Sequence, residues 1–334
     1  MDTLRIGVLG AARITPAAVI KPARLVGGVE VVAVAARDRE RAEKFAAKHG
    51  VPRVHTSYEA LLDDSEIDAI YNPLPNGLHG EWTRRALAAG KPVLCEKPFT
   101  ANAAEARVVA DAASESGLVV MEAFHYRYHP VARRMVEIVR SGAIGDLTHV
   151  DSAMCIPLPF PKDIRYRWDL AGGATMDTGC YAIHMNRLVA GAEPAVIEAQ
   201  ARLARPEVDR WMRARFRYPD GVTGTMTCAL WSGTPLKVAL RAIGTGGELR
   251  VFNPTGPQFG YRMSVRADGA KQRIRVDGAK KATYTYQLEA FAVAVRNGGP
   301  VLTPPADAIA NMEVIDAVYR AAGLATREPT MRGT

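Results

Sequence analysis

Short apolar runs alternate with amphipathic stretches through the first 122 residues. The runs Leu4–Leu9, Val29–Ala35, Ile67–Tyr71, Pro92–Cys95 and Leu118–Glu122 are almost continuously hydrophobic, and helical patterns such as Arg39–Lys48, Gly80–Ala89 and Ala103–Ser116 lie between them. Strands apolar on both faces and separated by helices predict a parallel sheet covered on both sides, a doubly wound α/β unit of the Rossmann kind. After residue 123 the period changes. His129–Ser141 reads as a helix and Gly173–Val189 contains another. Alternation of strand type then runs through Val196–Ala204, Arg210–Tyr218, Thr223–Trp231, Leu236–Ile243, Glu248–Phe252, Tyr261–Arg266 and Arg273–Val276, with Pro219-Asp220-Gly221 and Asp268-Gly269 as turns. Consecutive strands without crossover helices predict a large, mostly antiparallel sheet. Helices over Tyr286–Asn297 and Pro305–Leu324 close the chain. The expected organisation is a nucleotide-binding-type domain over residues 1–122 and a larger α+β domain over 123–334.

Composition narrows this little. The 334 residues fit two domains of about 100–200 residues each. A content of 48% hydrophobic and 23% charged residues excludes a disordered chain or a disulfide scaffold. No apolar run reaches the ~18 residues of a membrane span, and the start MDTLRIGVLG has neither the basic opening nor the cleavage site of a signal peptide. Cys95, Cys155, Cys180 and Cys228 are scattered with no CxxC pair, so no metal site is expected and buried thiols in a cytoplasmic protein are. The formal charge is +8, but Lys and Arg are dispersed, and the densest stretch, Arg262–Lys281, is interrupted by Asp268 and Asp277. Without a recognition helix, zinc finger or aromatic RNA-binding signature, nucleic acid is not an expected partner.

The first strand leads into Gly10-Ala11-Ala12-Arg13-Ile14-Thr15-Pro16. A dinucleotide fingerprint reads G-x-G-x-x-G, and here only Gly10 remains, with Ala12 and Thr15 in the other glycine places. Thr15 and Pro16 make an N-cap and first-turn pair, which would leave helix amides free to face an anion. The second strand ends Ala36-Arg37-Asp38. A carboxylate there would hold a ribose 2′-hydroxyl, whereas an arginine suits a 2′-phosphate. Arg37 takes the place and Asp38 reads as the cap of the next helix, so NADP(H) is favoured, with NAD(H) as the alternative.

The strand end Cys95-Glu96-Lys97-Pro98 resembles the Gfo/Idh/MocA oxidoreductase family, as do N-P-L-P-N-G-L-H at 72–79, E-A-F-H-Y-R-Y-H-P at 122–130 and G-G-A-T-M-D-T-G-C-Y-A-I-H at 172–184. The closest branch holds glucose–fructose oxidoreductase, xylose dehydrogenase and the dimeric dihydrodiol dehydrogenases. The resemblance implies that Lys97 sits beside the nicotinamide and the reacting carbinol, with its pKa lowered towards an acid–base range, and that a cis peptide precedes Pro98. Glu96 would support the cofactor or orient Lys97. Pro75, Asn76 and His79 would line the nicotinamide pocket, while Gly10, Ala12, Arg13 and Ile14 in the glycine turn and Arg37 after the second strand would bind the cofactor's phosphates.

Asp177, Tyr181 and His184 recur at helical spacing, so they form one polar stripe if the segment is a regular helix. The family pattern D-x-G-x-H-x-x-D is departed from twice, by Tyr181 and by His184. Tyr181 is the candidate acid/base, its phenol pKa lowered by Lys97, and Asp177 would bind a substrate hydroxyl or orient Lys97. His184 has two readings, contact with a sugar hydroxyl or a satisfied histidine facing the sheet. Gly172, Gly173 and Gly179 would let a ligand or another chain approach. Arg127 would bind substrate oxygens or link domains by an ion pair. Tyr166 and Trp168, with Arg165 and Arg167, would form a sugar-binding rim or an interface.

The expectation is an NADP(H)-dependent oxidoreductase that moves hydride between nicotinamide C4 and a CH–OH carbon of a sugar, inositol or cyclic diol. The alternatives are an NAD(P)-dependent glycosidase on the same fold and a non-catalytic NADP(H)-binding sensor. A homodimer or homotetramer through the C-terminal sheet is implied by the resemblance, and the apolar alternation in Thr223–Trp231 and Leu236–Ile243 is compatible with it.

Overall fold

The computed structural model describes residues 3–330 apart from Pro235. Met1 and Asp2, where the N-terminal stretch begins, lie outside the described residues, as do the last four positions of the second expected domain. Two sheets organise them. The first is parallel, with strands β1 (Leu4–Leu9), β2 (Val29–Ala35), β3 (Arg53–His55), β4 (Ala69–Asn72), β5 (Val93–Cys95) and β6 (Val120–Glu122) in the order β3-β2-β1-β4-β5-β6. Its central strands are buried on both faces because helices cover both. Local chemistry sets the helix ends. Asp38 and Asn102 cap the helices Arg39–His49 and Ala103–Ser116 by accepting from the amides of Arg41 and Glu105, and Gly50 and Gly117 close them in the left-handed conformation.

The second sheet contains β7 (Leu147–Cys155), β8 (Ala195–Arg205), β9 (Val208–Arg217), β10 (Thr223–Ala229), β11 (Lys237–Gly244), β12 (Gly247–Phe252), β13 (Arg262–Ala267) and β14 (Ala270–Ile274). Its order is β14-β13-β12-β11-β7-β10-β9-β8, antiparallel except where β7 and β10 run parallel. One face carries the helix Cys180–Ala190, whose closest strands are β7 and β10. The helix Pro305–Ala321 packs on β8 and on Ala103–Ser116. The helix Thr283–Asn297 returns to the first sheet, where Leu288, Phe291 and Ala292 join the core of β1, β2 and β4.

Three expectations change. Two strands were not legible. β3 is three half-buried residues at a sheet edge, and β7 reads L-T-H-V-D-S-A-M-C, a mixture of polar and small residues without clean alternation although it lies at the sheet centre. The last expected strand, Arg273–Val276, shifts to Ala270–Ile274, and the helix expected from Tyr286 begins at Thr283. Finally, the open face of the second sheet is mixed, with Trp211, Ala239 and the exposed Phe252 among its polar side chains. Met226, Cys228, Val238 and Leu240 face the helices, which leaves Thr223, Thr225, Thr227, Lys237 and Arg241 on the other side. A groove of about 940 Å³ runs along that face, with Trp211, Arg213 and Arg250 among its walls.

Candidate active site

The carboxyl ends of β1 and β4 lie where the strand order reverses, and in an open parallel sheet that crevice takes ligands. Gly10 leaves β1 at φ +88°, held by its amide on the Ala35 carbonyl at 2.6 Å, and a Cβ there would stand 3.1 Å from Leu74. Ala12 and Ile14 are half-buried in the turn, and Arg13 projects into solvent with only a long 3.5 Å contact to Asp163. Thr15 does not cap the following turn. Its backbone is already helical and its buried hydroxyl has no partner, while Pro16 does stand at the first turn position.

At the end of β2, Arg37 is exposed and the Asp38 carboxylate accepts the Arg41 amide at 3.0 Å. Arg41 then sends its guanidinium to the Ala11 carbonyl at 3.0 Å, beside the glycine turn. A glycine at positive φ at the end of β1, with Arg41 beside the turn and Arg37 exposed after β2, fits the pyrophosphate and 2′-phosphate of a dinucleotide.

Across the crevice, β5 runs into Glu96 and Lys97, and the Lys97–Pro98 peptide is cis. Glu96 is buried. It accepts the Tyr71 hydroxyl at 2.8 Å and the Lys97 amide at 3.3 Å, and burial raises its pKa. The Lys97 ammonium donates to the Asp177 carbonyl at 2.9 Å and its carboxylate at 3.2 Å. Burial, the largest single influence, pulls the Lys97 pKa down, but Asp177, Cys180 and Glu96 together outweigh it and the net shift is upward. This reverses the expected lowering. Asp177 itself titrates below the ordinary carboxylate range, because Lys97 and Arg165 together overcome its burial. Arg165 binds its other oxygen at 3.1 Å and also binds Asp163.

Asp177 lies in a π-turn, Thr175–Gly179, that precedes the helix Cys180–Ala190. The wider turn breaks the regular spacing between Asp177 and the two residues that follow it in the helix. Tyr181 remains beside Asp177, with its ring 5.1 Å below the Lys97 ammonium and packed on Phe124 at 5.2 Å. Among the described residues its hydroxyl has no hydrogen-bond partner. Burial raises its pKa well above the ordinary phenol value, against the expected lowering, because Lys97 meets the ring face.

His184 packs beside Tyr181, with both rings against Phe124 and Tyr126, but its own ring nitrogens are taken. It is buried, its Nδ1 meets the Tyr126 hydroxyl and its Nε2 meets Asp307 at 3.0 Å, which leaves no ring nitrogen for a sugar hydroxyl. Other expected site residues are also engaged by the protein. His79 is buried between the Pro98 carbonyl at 2.7 Å and the Leu74 carbonyl at 2.6 Å, so it braces the lysine loop and does not face a cofactor. Burial lowers its pKa to about 4. Asn76 donates to the Ala171 carbonyl at 3.0 Å, and Pro75 beside it is half-buried. Tyr166 is buried with its hydroxyl on the Leu158 carbonyl, and Trp168 lies 4.6 Å under the Arg327 guanidinium, so neither forms an open rim. Arg127 is half-buried and, among the described residues, pairs with no carboxylate. The space beside the three glycines is filled by the chain itself: a Cβ at Gly172 would meet the Arg165 and Arg167 carbonyls at 2.7 Å, at Gly173 Asp209 at 2.3 Å, and at Gly179 the Cys228 sulfur at 2.9 Å.

Sequence reasoning missed Arg165 as the second partner of Asp177, Arg41 at the glycine turn, and Tyr284, whose ring lies 4.1 Å from His125 and near Glu96. Arg165 had a signal in the run of charged and aromatic residues at 165–168, and Arg41 in the repeated arginines after β2. Tyr284 had none, because its helix is remote in sequence from the strands it meets.

Comparison with known proteins gives a consistent result. A model described as "Oxidoreductase family, NAD-binding Rossmann fold" matches residues 4–124, and the GFO/IDH/MocA C-terminal domain matches 132–250. D-xylose 1-dehydrogenase (NADP(+)) 2 of Haloferax volcanii is 38% identical over 95% of this chain and 96% of its own. A dTDP-3,4-didehydro-2,6-dideoxy-alpha-D-glucose 3-reductase of Streptomyces violaceoruber is 36% identical over 96% of both chains. Among solved structures, a 3-ketoreductase from Actinomadura kijaniata in complex with NADP and TDP-benzene superposes with a TM-score of 0.88 at 29% identity, covering 96% of this chain and 98% of that one.

Proposed function

We propose that this chain, which belongs to the Gfo/Idh/MocA oxidoreductase family, uses NADP(H) to interconvert a CH–OH carbon and a carbonyl on a sugar or similar polyhydroxylated ring. The observation that carries the reading is the Lys97 ammonium, pinned by Asp177 above the ring of a tyrosine whose hydroxyl has no partner among the described residues. The bound nicotinamide supplies or accepts the hydride. The chain's own residues manage the oxygen and its proton. Lys97 offers a fixed positive charge to an oxygen that becomes anionic, an interaction that a buried site strengthens. Tyr181, kept neutral by burial, donates its hydroxyl proton to that oxygen in reduction and takes one back in oxidation. Asp177 holds Lys97 in position, with Arg165 on its far oxygen.

NADP is favoured over NAD because Asp38 spends its carboxylate on the Arg41 amide, while Arg37 and Arg41 stand where a 2′-phosphate would lie. A homodimer or homotetramer remains part of this proposal. The open face of the second sheet would meet its copy through Trp211 and Phe252 as well as threonine, arginine and lysine side chains, so apolar burial would accompany a salt-sensitive polar contact.

The test is absorbance at the nicotinamide band with purified protein, either cofactor, and a panel of aldoses, inositols, trans-dihydrodiols and their keto forms. Reduction of NADP by one class, or oxidation of NADPH by its ketone, is the expected result. Release of free sugar from a glycoside without net NADPH would favour a redox-neutral glycosidase. Tight NADPH binding without turnover would favour a sensor.

A further inference from the structure

The segment after the last helix crosses back over the candidate site. The Thr330 amide donates to the Gly77 carbonyl at 2.7 Å and its hydroxyl to the Asp169 carbonyl at 2.6 Å. Asn102 holds the Arg327 carbonyl at 2.8 Å. Between these ties Arg327 enters the protein and is 0% exposed, as is the Asp209 carboxylate it meets at 3.1 Å. Its guanidinium lies between the rings of Tyr319, at 4.0 Å, and Trp168, at 4.6 Å, and donates to the Gly172 carbonyl at 2.6 Å.

Asp209 carries the arrangement further. One oxygen accepts both the amide and the hydroxyl of Thr175 at 2.7 Å, and the other accepts the Tyr319 hydroxyl and Arg327. Thr175 is the first residue of the π-turn, and the Asp177 amide bonds back to the Gly173 carbonyl at 3.0 Å. Gly173, at φ +136°, is pressed so close that a Cβ would meet Asp209, Tyr319 and Arg327 together. The start of the turn is therefore held on three sides by a buried ion pair.

A buried pair is a weak source of stability, since desolvating two charges costs about as much as their attraction returns. What such a pair does well is select one geometry. We propose that Arg327 is a positioning residue, which through Asp209 and the Gly172–Gly173 peptide sets the turn that aims Asp177 at Lys97. The C-terminal segment is thereby part of the working site. This inference rests on the function proposed above only for its effect on turnover; its effect on Lys97 stands without it.

The test compares the wild-type protein with Arg327→Lys, which keeps a charge for Asp209 but cannot also reach Gly172, and with Tyr319→Phe, which removes one bond to the same carboxylate. Competitive labelling with acetic anhydride, read by mass spectrometry against exposed Lys271, gives the pH midpoint of Lys97. The midpoint is expected to move to lower pH in Arg327→Lys, and less far in Tyr319→Phe. Turnover on whichever sugar the panel identifies is expected to fall about a hundredfold in Arg327→Lys, the scale of an ångström misplacement, with the NADP Kd unchanged. An unchanged Lys97 midpoint in the folded variants overturns the proposal, whatever turnover does. A wild-type protein silent on every sugar would count against the proposed function alone, because the labelling still decides the role of Arg327.

Discussion

The two ends of the segment Thr175–Ala190 carry buried charge in opposite ways. Towards its middle, His184, Asp307, Arg187, Glu193 and Asn311 form a finished network. The His184 pKa is lowered by burial, so the ring is neutral, accepts the Tyr126 hydroxyl at one nitrogen and donates to Asp307 from the other. At the start of the segment, Lys97 and Asp177 are equally sheltered, yet Tyr181 ends in a hydroxyl that bonds to nothing among the described residues. Burial and perturbed titration are common to both ends. The unfilled hydrogen-bonding capacity is found at one only, and that capacity is what a substrate can use.

The largest expected effect follows at the open end. Lys97→Ala and Tyr181→Phe should each lower turnover by about 10²–10⁴-fold, the usual contribution of a positioned proton-handling group, while NADP binding measured by fluorescence stays within a few-fold. Turnover unchanged in both variants would make the two ends equivalent and remove the mechanism.

At the closed end the loss should appear in folding. His184→Ala leaves the buried Tyr126 hydroxyl without its partner and takes one from the part-exposed Asp307, at a cost of about 1–3 kcal/mol. Urea unfolding measures that, and activity per folded molecule should stay close to wild type. A variant with full stability but no turnover would move His184 to the working side.

How far the sequence discloses all this differs between the same two ends. The parallel sheet, the turn at Gly10 and the lysine at a strand end are local patterns, because periodicity and turn chemistry act over a few residues. Asp177 and Tyr181 were legible as a spacing, but that spacing assumed a regular helix. The segment instead opens as a π-turn tied to Asp209 of β9, and His184 is engaged by Tyr126 and Asp307, all remote in sequence. β7 escaped notice for a related reason: its hydrogen bonds come from β10 and β11, remote in sequence, and its own residues do not alternate. The titration of Lys97 has the opposite sign to that expected because its acidic neighbours together outweigh its burial, and that of Tyr181 because proximity says nothing of orientation. An ammonium over a ring face does not act as it would beside the hydroxyl.

That corrected sign makes the smallest and most discriminating expectation. Both Lys97 and Tyr181 hold their protons more firmly than free side chains do, Lys97 because Asp177, Cys180 and Glu96 together outweigh its burial and Tyr181 because burial opposes the phenolate. Reduction needs a group that already carries a proton, and between pH 7 and 9 both carry one, so the rate of ketone reduction should be nearly flat there. Oxidation needs a group that has lost its proton, and below the pKa that fraction grows about tenfold per pH unit, or about 1.4 kcal/mol. The rate of alcohol oxidation should therefore climb through pH 9 without levelling. Rates of both directions, measured over this range with one alcohol–ketone pair, read the difference. An oxidation profile that levels near pH 7 would mean that a group other than these two accepts the proton, and the open end would lose its distinguishing role.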